Sequence, residues 1–146
     1  MVAWLGYGGL VPFVSLAPGA LLGGDYAGLC SKALFAYGAV ILSFVGALHW
    51  GFAMNVPNLS ARHRNLAWAW SVVPALLAWV ALLLDPTAAG VLMIAGFLAH
   101  YWQDRGLARL AALPPWYLPL RLRLTGVACI CLAVGAAAAR QRTFSA

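Results

Sequence analysis

The length of the charge-free stretches constrains this chain more than any other feature. No Asp, Glu, Lys or Arg occurs in residues 1–24, 33–61, 65–84, 86–103 or 124–139. About 20 apolar residues in a helix cross the hydrocarbon core of a bilayer. Lipid offers no partner for backbone N–H and C=O groups, so such stretches cross as helices that satisfy their own hydrogen bonds. The pattern predicts an all-α fold: an integral membrane helical bundle with about five transmembrane helices. The spans are expected near 2–22, 33–54, 65–84, 86–103 and 122–140 of a single transmembrane domain covering 1–146. The last charge-free run, Leu124 to Ala139, is shorter than a full crossing. Arg123 and Arg140 extend it by snorkelling toward the headgroups.

Composition supports a lipid environment. The chain is 64% hydrophobic and 8% charged, against roughly a quarter charged in ordinary soluble domains. Its net charge of +6 comes from nine Lys and Arg against three Asp. The basic residues lie in short loops between apolar runs, which points to anionic lipid headgroups and topology control and away from nucleic acid. Cys30, Cys129 and Cys131 have no metal-ligand spacing and read as small packing residues. The N-terminus lacks the basic region of a secretory signal, so its apolar stretch is expected to be a retained first span.

Between the fourth and fifth spans lies the longest connection, Asp104 to Arg123, with a Pro114-Pro115-Trp116-Tyr117 cluster. It is expected to run along the membrane surface as an interfacial loop, with residues 106–113 as a short amphipathic helix. Five crossings place the N-terminus, the 55–65 loop and this connection on one face. Arg62, Arg64, Arg105, Arg109, Arg121 and Arg123 are then on that face, against Lys32, Arg140 and Arg142 on the other. Six against three predicts a cytoplasmic N-terminus. Pro12, Pro18 and Pro74 are expected to kink the first and third helices.

Candidate functional residues gather at the same face. His49 and His100 each lie about one turn before the end of a predicted helix, and the two helices run in the same direction. Intramembrane ionisable residues mark functional sites by default. With Trp50, Trp102 and Arg121 they outline a site for a quinone headgroup, haem or an anionic lipid. No haem, other cofactor or metal is expected, since an interfacial histidine is commonly a solvated one. On the second helix Ala39, Ser43, Ala47 and Gly51 recur every four residues, a small-residue stripe that favours close helix contact. Trp116 and Tyr117 complete the expected interface residues. Asp25, Asp85 and Asp104 sit at loop edges without an evident partner, and Asp104 reads as a local cap or pair. No phosphate loop, nucleophile elbow or metal-ligand motif is present, so no enzymatic activity is expected.

Three separated segments resemble a known family. They are Leu5-Gly6-Tyr7-Gly8-Gly9-Leu10-Val11-Pro12-Phe13, then Tyr37 to Phe44 with Gly46 and His49-Trp50-Gly51, and Pro115-Trp116-Tyr117 with Leu120-Arg121 and Leu124-Thr125. Together they are similar to the transmembrane protein 69 family and its bacterial relatives, a domain of unknown function. The resemblance implies a multi-pass protein of a bacterial inner membrane or a mitochondrial membrane. The absence of a presequence favours the bacterial inner (cytoplasmic) membrane. It brings no catalytic residue with it. The function expected from these observations is a non-catalytic accessory or structural subunit that contacts membrane lipids and packs against another membrane protein, such as a larger energy-transducing complex. The alternatives are a ligand-binding membrane protein using the site above and a small oligomeric transporter.

Overall fold

The computed structural model describes residues 2–57, 59–110 and 113–145, and among these every regular element is helical. The order is α1 (Val2–Gly8), α2 (Val11–Leu21), α3 (Ala27–Asn55), α4 (Ala61–Leu82), α5 (Pro86–Leu110) and α6 (Tyr117–Ser145). The segments Ala3–Leu21, Ala27–Asn55, Ala61–Leu82 and Tyr117–Phe144 are long and apolar enough to cross a membrane. α5, at 25 residues, has the length, but His100, Gln103, Asp104 and Arg105 interrupt its apolar run. It keeps its place in the bundle by turning His100 and Asp104 inward, where both are buried.

The helices close into a ring. α2 packs on α3, α3 on α4, α4 on α5, α5 on α6, and α6 back on α2, while α3 also touches α5 and α6. Phe13, Leu34, Leu42, Met93, Phe97 and Leu132 fill the centre. Glycines set several approaches. A Cβ on Gly46 would lie 2.9 Å from the Pro74 ring and 3.1 Å from the Ser71 carbonyl, so the bare backbone of α3 lets α4 come close. Gly90 meets Ala136 in the same way, and Gly96 meets Leu42.

The expected small-residue stripe is only partly an internal contact. Ala39 is buried, Ser43 and Gly51 are half-buried, and Ala47 is exposed. The buried line of α3 instead follows Phe35, Gly38, Ala39, Leu42, Val45, Gly46, His49 and Ala53. A strict four-residue repeat drifts around a helix of 3.6 residues per turn, which carries Ala47 off the packed face.

Helix ends also differ from expectation. α3 begins at Ala27 and takes in Lys32, and α4 begins at Ala61 and takes in Arg62 and Arg64. Lys32 and Arg62 are exposed there, with room for long side chains to reach the headgroups. The 106–113 segment does not form a separate interfacial helix, because α5 continues unbroken to Leu110; Ala111 and Ala112 lie outside the described residues. The interfacial connection therefore shrinks, and α6 starts at Tyr117 with Pro119 in its first turn, where its missing N–H costs nothing. At the opposite end Asp85 Oδ1 accepts from the Thr87 and Ala88 amides at 3.0 and 3.2 Å and caps α5. There too Arg142 Nη1 donates to the Ala20 carbonyl at 2.8 Å, tying α6 to α2.

The first crossing is interrupted between α1 and α2, at Gly9 and Leu10. Pro12 has no N–H to offer the Gly8 carbonyl. The Gly9 carbonyl accepts from Tyr37 Oη of α3 at 2.8 Å. In contrast, α4 runs through Pro74 from Ala61 to Leu82.

Candidate functional site

One carboxylate organises the polar interior. Asp104, on α5, is fully buried with a relative exposure of 0%. An isolated buried carboxylate is strongly disfavoured, so its partners define the site. Asp104 Oδ2 accepts from Arg121 Nε at 2.8 Å. Asp104 Oδ1 lies 3.0 Å from His49 Nε2 and accepts from Tyr117 Oη at 3.3 Å. His100 Nε2 stands 3.7 Å from the same oxygen, with the Val45 carbonyl also nearby. On α4, Trp70 Nε1 donates to His100 Nδ1 at 3.1 Å.

Helical spacing assembles these groups. His100 and Asp104 are four residues apart on α5, and Tyr117, Arg121 and Thr125 are spaced by four on α6, so each set shares one face. His49 enters from α3 and Trp70 from α4. His49, Asp104 and Arg121 lie roughly 6–9 Å inside the ends of their helices at 1.5 Å per residue. The site thus lies one to two turns inside the end of the bundle bearing the α3–α4 and α5–α6 connections.

The two predicted histidines do meet, with ring centroids 4.8 Å apart, and Arg121 joins them through Asp104. Trp50 and Trp102 do not. They are 52% and 71% exposed, facing outward beside Trp68 and Arg105 respectively. Tyr117, expected at an interface, belongs to the buried cluster, while Trp116 is exposed. Asp104 is not a local cap at a loop edge but the hub of the cluster. Trp70 and Thr125 were missed as well. The signal that could have found Asp104 and Thr125 is the four-residue spacing with His100 and Arg121.

The imidazoles leave no slot for a haem, because the Asp104 carboxylate lies against both Nε2 atoms. One nitrogen of each histidine and an Asp104 oxygen lie within 4.8 Å of one another, which brings a metal ion into question. The donor set does not suit one. An indole N–H only donates, so His100 Nδ1 accepts and Nε2 carries the ring proton, leaving neither lone pair for a metal. Arg121 already balances the Asp104 charge.

Two cavities flank the cluster. The larger, of about 440 Å³, is lined by α1, α2, α3, α5 and α6 side chains that are almost all apolar. Arg121 and Thr125 are in its wall. Arg121 Nη2 and Thr125 Oγ1 are both buried without a hydrogen-bond partner. A smaller cavity of about 260 Å³ lies on the other side, against His49, His63, Trp70 and Gln103.

The geometry fits what comparison with other proteins finds. Residues 1–137 match the family model described as protein of unknown function (DUF3429). The chain belongs to the DUF3429 family. It is also 43% identical over 129 residues to transmembrane protein 69 of Xenopus tropicalis. That alignment takes in 86% of this chain and 49% of the frog protein, so the chain spans about half the length of its curated relative. No solved structure matches. Family membership and the apolar helices make this DUF3429 chain a multi-pass membrane protein. Each quoted segment that carried the resemblance supplies part of the site: Leu5 to Phe13 wall the larger cavity, His49 binds Asp104, and Tyr117, Arg121 and Thr125 form the α6 face.

Proposed function

We propose that this DUF3429 member is a non-enzymatic membrane protein that binds an amphipathic ligand in the larger cavity. The ligand's hydrogen-bond-accepting head would lie against Arg121 and Thr125, with its apolar body among the helices. One observation carries this reading: Arg121 and Thr125 stand in the wall of an otherwise apolar cavity, and each keeps a buried polar atom without a partner, Arg121 Nη2 and Thr125 Oγ1, just behind that wall. Such donors cost about 1–3 kcal/mol each when unsatisfied, and a ligand's acceptor removes that cost. Purification in mild detergent followed by mass spectrometry of the solvent extract tests it. A stoichiometric amphiphile is expected, and its occupancy should fall in Thr125→Val while that near-isosteric variant keeps its melting temperature. An extract with no specific amphiphile, from protein that also fails to saturate with added lipid or quinone, would end this reading.

A second reading, an accessory subunit of a larger membrane complex, draws on the outer face of α3. Exposed Ala47 and half-buried Gly51 lie there beside the exposed pair of Trp50 and Trp68 of α4, with ring centroids 6.4 Å apart. A stoichiometric partner retained in a mild-detergent pull-down, and lost when Ala47 is replaced by Trp, would support it. Location belongs to the same proposal. With Arg121 withdrawn into the cluster, five Arg residues at the site end still exceed Lys32, Arg140 and Arg142 at the other. This favours the site end, and with it the N-terminus, facing the cytoplasm of a bacterial inner membrane.

A further inference from the structure

The charge state of the cluster narrows the ligand class, given the cavity-binding reading above. Asp104 carries the negative charge and Arg121 cancels it at 2.8 Å. His100 is neutral, because its Nδ1 accepts the Trp70 N–H and a protonated imidazole has no acceptor nitrogen. His49 donates through Nε2 to Asp104. Asp104 and Arg121 thus form a balanced pair, to which the Nε2–H of His49 adds a further donor. Two arginines at the same end lie outside this pair. Arg123 is exposed and donates to Tyr7 Oη, and Arg105 is exposed over Trp102. The Asp104 charge is therefore already matched before a ligand arrives. An anionic head would bring an uncompensated charge into it, at a cost that a neutral acceptor avoids.

The rest of the cavity selects among neutral heads. Phe13, Phe44, Phe97, Trp116 and Tyr117 contribute to its wall, and aromatic faces and edges favour a flat conjugated ring. Arg121 and Thr125 are one turn apart on α6 and both belong to the wall, a spacing suited to one carbonyl oxygen. A volume of about 440 Å³ suits a single ring and the start of one chain within the usual size of small-molecule sites. We infer that the cavity takes a quinone with a single apolar tail, one carbonyl oxygen accepting from Arg121 Nη2 and Thr125 Oγ1.

Equilibrium binding to purified protein in phosphatidylcholine nanodiscs tests this, with a decyl-substituted benzoquinone and with palmitate as probes. The quinone is expected to saturate at one per chain and to bind at least tenfold more tightly than palmitate. Thr125→Val should weaken the quinone roughly fivefold through the loss of one hydrogen bond and leave palmitate unchanged. Trp116→Leu, outside the hydrogen-bonded cluster, should weaken the quinone without lowering the melting temperature. Palmitate binding as tightly as the quinone would overturn the neutral-carbonyl assignment while leaving a ligand-binding cavity in place. Quinone affinity indifferent to Thr125→Val would overturn the assigned contact. Saturation by neither probe would overturn the cavity-binding reading itself.

Discussion

Asp104 shows how one residue can bind four helices into a single unit. Its carboxylate receives Arg121, Tyr117 and His49 directly, and His100 with Trp70 completes the surround. Removing either half of the Asp104–Arg121 pair strands a buried charge, while removing both does not. Asp104→Ala is accordingly expected to destabilise the bundle by about 3–5 kcal/mol, and Arg121→Met by a similar amount. The double variant Asp104→Leu with Arg121→Met should recover most of that loss, giving a large coupling energy in thermal or denaturant unfolding in detergent. Independent, additive losses would mean the pair is not a unit. This centre was half legible in the sequence. His49 and His100 stood out because ionisable groups are rare inside apolar runs. Asp104 did not, because it follows Gln103 and precedes Arg105 in a segment that reads as the start of a loop.

Single elements follow local chemistry closely, with deviations that have physical causes. Pro86 opens α5 and Asp85 caps it, as the Asp-Pro pair suggests, whereas Pro74 lies inside α4 without ending it. The space for that proline is made by Gly46 of the neighbouring helix, and periodicity within α4 alone does not show it. Gly46→Ala should push α3 from α4 and cost about 1–3 kcal/mol, as overpacking does. Gly51→Ala meets nothing within 4 Å and should be neutral or stabilising by up to about 1 kcal/mol through helix propensity. Comparing the unfolding midpoints of the two variants checks both. Equal effects would show that the close approach at Gly46 is not limiting. Helix ends were the least legible feature, because charge was taken as the border of each span. Lys32, Arg62 and Arg64 sit within helices, and the exposed Lys32 and Arg62 have flexible stems that can carry their charges outward.

At the scale of the whole molecule, an odd number of crossings is read from the spacing of charges, whereas four segments among the described residues have the length and hydropathy of a span and α5 packs among them. α5 is the crossing that hydropathy supports least, since its polar groups are spent inside the bundle. Site-directed labelling settles it: after the native cysteines are replaced, Asp85→Cys and Trp116→Cys should react with an impermeant maleimide from opposite sides of the membrane. Reaction from one side would mean that α5 does not cross. Closure of the ring was not legible, because it depends on distant contacts such as Arg142 with Ala20. The interruption at Gly9 and Leu10 has a mechanical consequence for the larger cavity. Its outer wall includes Leu5 and Gly6 of α1, a helix of only seven residues. Helices below about 12 residues depend on their neighbours for order, and α1 packs chiefly on α6. The chamber therefore has one wall made by a short piece of an interrupted crossing, while most of the others are single long helices.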